Sequence, residues 1–465
     1  MCPPSDIARS PLTRAAAKVA NGDAKEDAHA SVNDSNHSTS TLEPHLLART
    51  FKTRWVRVGD FEYDVTNFKH PGGSVIFYML ANTGADATEA FTEFHMRSPK
   101  AWKMLKALPN RPAPTKRTSD PDHAMLTDFA KWRLELENEG YFKPSKLHLT
   151  YRLTELVAMF ALGTYFMTLK HPILAAAVYG CFFGARCGWV QHEGGHNSLT
   201  GKIWWDKRIQ AATCGFGLST SSDMWNQMHN KHHATPQKVR HDMDLDTTPA
   251  VAFFKTAVED NRPRGFSRMW ARVQAWTFVP ITSGILVQGF WIYVLHPRQV
   301  FRRNNYEEGM WMLMSHVVRT AVIKYALQDA TWPVAYLYFT LSNWFAYMYL
   351  FAHFSTSHTH TEVLPSDKHI SWVHYAVDHT VDISTDSPVV NWLMGYLNCQ
   401  VIHHLFPDMP QFRQPGASEK FKAFAKKWDL NYKMLTYYGA WKATFGNLDE
   451  VGQHYYMNGT SSKAH

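Results

Sequence analysis

The sequence predicts an all-α polytopic membrane protein: four transmembrane helices under a histidine-rich cytosolic cap, joined to a small α+β domain near the N-terminus. Three observations predict it. Apolar stretches close to the ~20 residues needed to cross a bilayer recur after residue 150. Histidines gather beside them in tight clusters, His192-Glu-Gly-Gly-His196, His229-Asn-Lys-His232-His233 and Gln400-Val-Ile-His403-His404. A separate N-terminal segment ends in a Pro-rich, charged stretch that reads as a domain boundary. The mean hydropathy of −0.33 would suit a soluble chain, but it averages over strongly segregated stretches.

Residues 1–43 are rich in Ala, Ser, Asp, Asn and Lys and have little to bury, which predicts a disordered tail. Asp6, Asp23, Glu26 and Asp27 are wrong for a transit peptide. Residues 44–108 form a compact domain, and residues 109–122, with Pro109, Pro112, Pro114 and Pro121, form its linker. Residues 123–465 are the membrane part, entered through an amphipathic helix over Leu126–Glu139.

Leu153–Leu169 and Pro172–Val190, separated only by Lys170-His171, read as a membrane hairpin. Three more apolar segments follow, Trp276–Leu295, Gly309–Leu327 and Thr331–Ala352. If all three crossed, the third histidine cluster would lie across the bilayer from the first two, which metals shared between clusters forbid. Trp276–Leu295 carries Pro280 and Gly284 and precedes Arg298, Arg302 and Arg303, so it reads as interfacial. The other two then form the second hairpin, with Arg319 and Lys324 counting against that choice.

The net charge of +8 is spread along the chain without a basic run, which excludes a nucleic-acid footprint and suits a face against anionic lipid. The five cysteines (Cys2, Cys181, Cys187, Cys214, Cys399) follow no paired pattern and read as reduced thiols. No residues arrange a nucleophile with a base and an orienting group, and no phosphate loop or dinucleotide fingerprint is present.

Within the small domain, His70-Pro-Gly-Gly73 places a histidine just before a tight turn. Gly84-Ala-Asp-Ala-Thr-Glu-Ala-Phe91 and His95 follow. Two histidines from opposite walls of an apolar cleft can take both axial positions of a haem, which leaves none for oxygen and makes the domain an electron carrier. Glu62, Asp64, Asp86, Glu89 and Glu93 suit docking to a basic partner, although acidic side chains usually form a solvated face. These residues resemble cytochrome b5 across the whole domain, and that resemblance carries the haem ligands to His70 and His95.

Imidazoles at i, i+3 and i+4 project from one helix face and suit iron, zinc or copper. Their number here predicts more than one ion. His192 and His196 lie one helical turn apart, with Gly194 and Gly195 weakening the helix at its end. The third cluster repeats the triplet spacing of the second with Gln400 in place of a histidine, where a carbonyl oxygen can ligate weakly or hold a water. A further ligand comes from His353, His358 or His360, of which His358 is favoured. His171, His296, His316, His369, His374 and His379, each isolated, read as hydrogen-bonding residues. The carboxylates of His241-Asp-Met-Asp-Leu-Asp246 could orient ligand imidazoles, although a solvated loop is the stronger reading.

The clusters, with Gly395-Tyr-Leu-Asn-Cys-Gln-Val-Ile-His-His-Leu-Phe-Pro407, resemble the front-end membrane fatty-acid desaturases with a fused cytochrome b5, from about residue 44 to the C-terminus. Gln400 heading the third box is the mark of the front-end enzymes and their sphingolipid relatives. Ile402 is a small departure, since many relatives carry Glu there. Two runs, Gly184-Ala-Arg-Cys-Gly-Trp-Val-Gln-His-Glu-Gly-Gly-His196 and the stretch from Trp225 to Pro249, look like the Δ6 desaturases of prasinophyte green algae. The resemblance implies two non-haem irons held by His192, His196, His229, His232, His233, His403 and His404, with Gln400 in the variant position and haem b on the small domain. It implies a cis double bond at C6 of linoleoyl or α-linolenoyl chains, as acyl-CoA or alternatively as acyl phospholipid. O2 would be the oxidant, and NADH–cytochrome b5 reductase the electron source. The site would face the cytosol from the endoplasmic reticulum membrane, with Lys231, Lys238 and Arg240 candidates to meet CoA phosphates. Within the family the alternatives are a Δ5 or a sphingolipid Δ8 desaturase; a b5-fused lipid hydroxylase is a rival of another class.

Overall fold

The computed structural model describes residues 49–242, 247, 250–255 and 266–458, and these fall within one compact unit. The predicted disordered tail, together with Asp244 and Asp246, lies outside the described residues.

The small domain is built on an antiparallel sheet of β1 (Trp55–Val58), β2 (Phe61–Asp64) and β3 (Asn110–Pro112), in that order. Val56 and Val58 alternate inward and meet Val65, Leu80, Ala87 and Leu105 in a small core. The stretch read as a linker begins inside this domain. Arg111 opposes Glu62 in the register and pairs with it at 2.7 Å, and Arg117 binds Glu89 at 2.5 Å. Two helices complete the domain, α1 (Thr88–His95) and α2 (Pro99–Ala107); Ser98 caps α2, with Pro99 in its first turn.

The amphipathic helix α3 (His123–Asn138) buries Met125, Leu126, Phe129, Arg133 and Leu136, one face at helical spacing. That face joins a core shared with α11 (Trp372–Asp378), α12 (Gln400–Leu405) and α13 (Gln414–Lys427). Phe129 stacks on Phe406 at 5.2 Å, just beyond the third histidine cluster.

Between these elements run α4 (Lys146–Thr168), α5 (Pro172–Gly195), α6 (Ile203–Ala212), α7 (Ser222–Ala234), α8 (Gln274–Arg303), α9 (Tyr306–Ala326) and α10 (Trp332–Ser355), and α14 (Tyr437–Asn458) ends the described chain. Two of these, α5 and α8, are long and apolar enough to cross a membrane among the described residues. The expectation of four spans therefore finds two such helices. Moreover α8, read from sequence as interfacial, is one of them. The expected hairpin α9–α10 is not among them: α9 carries Arg319 and Lys324, and α10, without a charged side chain, carries Asn343 among several Tyr and Trp. Arg319 is buried, yet its guanidinium donates to the Gly217 carbonyl (2.9 Å), to Asn343 Oδ1 (3.0 Å) and to Ser342 Oγ (2.9 Å), so the charge is served inside the bundle.

Close helix packing explains two glycines. A Cβ at Gly180 would lie 2.4 Å from the Phe345 Cβ, so α5 and α10 touch backbone to backbone there. A Cβ at Gly195 would lie 2.5 Å from the Trp225 ring. The cluster's second glycine thus serves the approach of α7, beyond loosening a helix end.

Candidate metal centre and haem pocket

In the small domain His70 and His95 face one another across a cavity of about 600 Å³, with ring centres 6.0 Å apart and planes at 86°. Two imidazoles bound trans to one metal through bonds of about 2.1 Å would have centres ~6 Å apart. The Phe91 carbonyl can only accept, so the 2.8 Å contact fixes the His95 proton on Nδ1 and leaves Nε2 free as a ligand. His70 Nδ1 is buried without a partner. Burial, then the neighbouring His95, pushes the His70 pKa down to about 4, so both rings are neutral and competent to bind metal. Val56, Val65, Phe68, Ile76 and Leu105 supply the apolar walls.

The histidine clusters converge from α5, α7 and α12 into two groups. His192, His196, His229, His233 and His403 form one, and His232, His358 and His404 the other; within each, the ligand atoms lie within 4.8 Å of one another. Helical spacing explains the split. On α7, His229 and His233 point to one group and His232, a position off that face, to the other. His358, favoured among three candidates, lies just past α10 with its ring centre 4.6 Å from His232 and 5.0 Å from His404. His353 turns away, its Nδ1 donating to the Tyr349 carbonyl (2.7 Å) and its Nε2 meeting the Tyr437 hydroxyl (2.9 Å). His360 is in neither group.

All eight imidazoles are buried. Both nitrogens of His403 and of His404, and Nε2 of His196, have no hydrogen-bond partner. His229 Nε2 and His233 Nε2 lie 3.1 Å apart, the spacing of neighbouring ligands on an ion with bonds of about 2.1 Å. Orphaned buried imidazole nitrogens are costly unless a cation takes them. Burial and neighbouring histidines hold His233, His403 and His404 well below the usual imidazole pKa, and His358 is pushed down to about 3, so the cluster is a set of neutral donors.

Partners behind the ligands complete the site. Asp242 is buried and accepts from His232 Nδ1 at 2.8 Å and from the Gln237 backbone N–H at 2.8 Å. The solvated-loop reading is thereby corrected at Asp242: the turn at Gln237, with φ +56°, folds the carboxylate back onto α7. Sequence reasoning missed Gln411, whose amide lies 2.9 Å from His192 Nδ1; its Oε1 is left without a partner, and turning the amide over would let that oxygen accept the Nδ1 proton. It also missed Glu308 of α9, which receives the Ser221 and Ser222 hydroxyls and the Asp223 N–H at the start of α7. Neither residue carries a local signal, since each acts on a helix far away in sequence.

Gln400 is buried with Oε1 unpartnered, in the wall of a second cavity of about 150 Å³. His192, His229, His232 and His358 share that wall, and Leu218, Phe278, Trp291, Leu350 and Phe351 face them. Lys238, a candidate for CoA phosphates, is instead buried with its ammonium 3.1 Å from His369 Nε2, and Lys231 lies over the Tyr78 ring of the small domain. The isolated histidines behave as hydrogen-bonding residues where contacts are seen. His296 accepts from the Ser221 N–H at 2.9 Å, and His379 donates to the Glu362 carbonyl at 2.7 Å.

Comparison with known proteins agrees with this geometry. Residues 168–436 match the family profile "Fatty acid desaturase", and residues 38–110 match "Cytochrome b5-like Heme/Steroid binding domain". The chain is 41% identical to an "Acyl-lipid (8-3)-desaturase" of Rebecca salina, over 85% of this chain and 90% of the relative. It is 40% identical to a protein of the same name from Thraustochytrium sp, over 86% and 93%. A "Delta(6)-fatty-acid desaturase" of Caenorhabditis elegans is 26% identical, over 83% and 93%. The two profiles imply a non-haem diiron centre and a haem, and the orphaned imidazoles fit both. Sequence profiles, relatives and the convergence of the clusters agree that the chain belongs to the fatty acid desaturase family, with a cytochrome b5 domain fused ahead of the desaturase part.

Proposed function

We propose that the chain is a front-end desaturase of the (8-3) type, placing a cis double bond three carbons to the carboxyl side of an existing one at C8, hence at C5, of an acyl lipid. The observation that carries this reading is the pair of histidine groups walling an apolar cavity with Gln400 beside them. The regiochemistry is supported by the two relatives at 40 and 41% identity. The sequence-based expectation of C6 has weaker support, from an acyl-lipid (9-3)-desaturase at 28% identity and the Delta(6) desaturase at 26%. The names of these two relatives likewise favour a lipid-bound substrate over acyl-CoA.

On this reading His192, His196, His229, His233 and His403 hold one iron and His232, His358 and His404 the other, while His70 and His95 hold the haem. The irons, when bound, supply an oxidant made from O2, and the haem supplies electrons singly. The protein's own part is positional. Asp242 sets the tautomer and tilt of His232, and Gln411 does the same for His192. Trp225 stacks on His229 at 4.2 Å and, with Phe354 and Trp291, keeps water from the cavity where the acyl chain lies. Gln400 offers an amide oxygen where an eighth box histidine would stand.

Membrane insertion is supported by exposed apolar residues on five helices, Val157 on α4, Ile173 on α5, Ile285 and Phe290 on α8, Leu313 on α9 and Leu337 on α10. We place these in the endoplasmic reticulum membrane, with the histidine cap towards the cytosol and NADH–cytochrome b5 reductase as electron donor.

The test is expression in yeast fed, in separate cultures, a polyunsaturated acid whose first double bond is at C8, linoleic acid and α-linolenic acid. Gas chromatography of the phospholipid and acyl-CoA pools over time should show a new C5 bond from the first acid, appearing in phospholipid before CoA. New C6 bonds from the other two, without a C5 product, would return the reading to Δ6. Hydroxylated products would sink desaturation altogether.

A further inference from the structure

The helix that carries His95 is stapled to the iron side of the molecule on either side of that histidine. Before His95, Glu93 is buried and receives Arg133 Nε of α3 on both oxygens, at 3.0 and 3.3 Å. After it, Arg97 donates to the Asp408 carbonyl at 3.0 Å and to the Phe142 carbonyl at 2.8 Å, and its Nε lies 3.7 Å from the Asp408 carboxylate. Asp408 closes the loop that leaves His404. Between the two staples sits Phe94. Its ring meets the His233 ring edge-on at 6.4 Å and Trp372 at 5.9 Å. It also lines the cavity that His70 and His95 share.

Phe94 therefore touches the wall of the haem pocket on one side and an imidazole of the iron site on the other, one peptide bond from His95. The contact is held by buried groups. Glu93 and Arg133 are both buried in this contact, so replacing either one alone would strand its partner away from water.

We propose that Phe94 is the positioning residue that couples the two metal sites, so that electrons pass from haem to iron within one docked molecule and without a swing of the haem domain. The inference rests on the ligand assignments under Proposed function. Each transfer oxidises one ferrous haem to ferric and reduces one ferric non-haem ion to ferrous; no atom or proton moves through Phe94. Two such electrons, with the two electrons and two protons that leave the acyl chain as two hydrogens, and two protons from solvent, reduce one O2 to two waters.

The experiment is stopped-flow reoxidation of the ferrous haem in full-length holoenzyme, loaded with haem and iron and supplied with acyl substrate and O2. In the wild type the rate should be independent of enzyme concentration; a rate that rises in proportion to concentration would mean transfer between molecules and would overturn the proposal. Phe94→Leu should slow reoxidation several-fold. Its haem spectrum, reduction potential and reduction by the reductase should be unchanged, and Phe94→Tyr should restore the rate. Wild-type reoxidation in Phe94→Leu would assign the route to the cavity wall at His196 and overturn the role of Phe94. A Tyr variant as slow as the Leu variant would also count against it. If Phe94→Leu does not fold, Phe94→Met, which keeps the bulk but not the ring, takes its place with the same slowing expected. Wild-type protein without a bis-histidine haem spectrum would instead sink the ligand assignment, and this inference with it.

Discussion

The two metal sites are built to opposite plans. The proposed haem pocket presents two imidazoles, one on a turn and one on α1, with ring centres 6.0 Å apart across a cavity of about 600 Å³. The proposed iron site gathers eight imidazoles from four chain segments, packed so tightly that each group's ligand atoms lie within 4.8 Å. The difference follows from what each cofactor brings. A haem carries four of its own ligands and its own conjugated ring, so the protein need only fill two positions and supply an apolar slot. A bare ion brings nothing, so the protein must provide the ligands and hold their orientation from behind. The haem pocket accordingly has few partners behind its ligands, whereas the iron site has Asp242 and Gln411.

That contrast is broken most completely by removing a ligand. His404→Ala should abolish the desaturated product while leaving haem content and absorbance as in the wild type, because it takes one of the three imidazoles of the smaller group. Product formation by this variant would refute the iron assignment. His70→Ala should remove haem and product together. Added soluble cytochrome b5 could restore product here, and it should do nothing for His404→Ala. The pair of variants therefore separates loss of an electron carrier from loss of the oxidant site.

The same contrast decided what could be read from sequence. The haem site is spelled in two short runs, and a histidine before a Pro-Gly-Gly turn needs no long-range contact to be recognised. The two histidine groups were legible because helical spacing puts imidazoles on one face, and His358 because it falls in a short run with His353 and His360 at the end of α10. Asp242 was visible but read as solvated, since nothing local shows that the loop folds back on α7. Gln411 and Glu308 had no signal at all; each meets its target across a large sequence separation, which periodicity does not record. The bilayer topology was the least legible, because polar residues satisfied inside a bundle, such as Arg319, lower a helix's apparent apolarity without exposing it to lipid.

A milder perturbation sharpens the point about partners behind the ligands. Asp242→Asn keeps the shape and loses the charge that orients His232. Iron content or product formation should fall by about 10–100-fold, the usual cost of losing such a partner. Haem binding should be unaffected, and iron analysis beside the haem spectrum measures both in one sample. Unchanged iron and product would mean that His232 is held by packing alone.

Acid should distinguish the sites by a smaller margin. In the protein free of cofactors, burial first and then His95 push the His70 pKa down to about 4, and burial first and then His232 push His358 down to about 3. An unfolded imidazole takes up a proton near pH 6.5. Between that pH and the folded value the unfolded chain binds more protons, so stability falls as pH falls, by up to ~1.4 kcal/mol per unit for each such histidine. Replacing His70 by Gln should flatten the decline only down to about pH 4, and replacing His358 by Gln should flatten it further, towards pH 3. Thermal unfolding of the cofactor-free variants from pH 8 downwards measures the slopes. Parallel curves for both variants and the wild type would mean that these imidazoles are solvated in the folded chain, against the burial on which both sites depend.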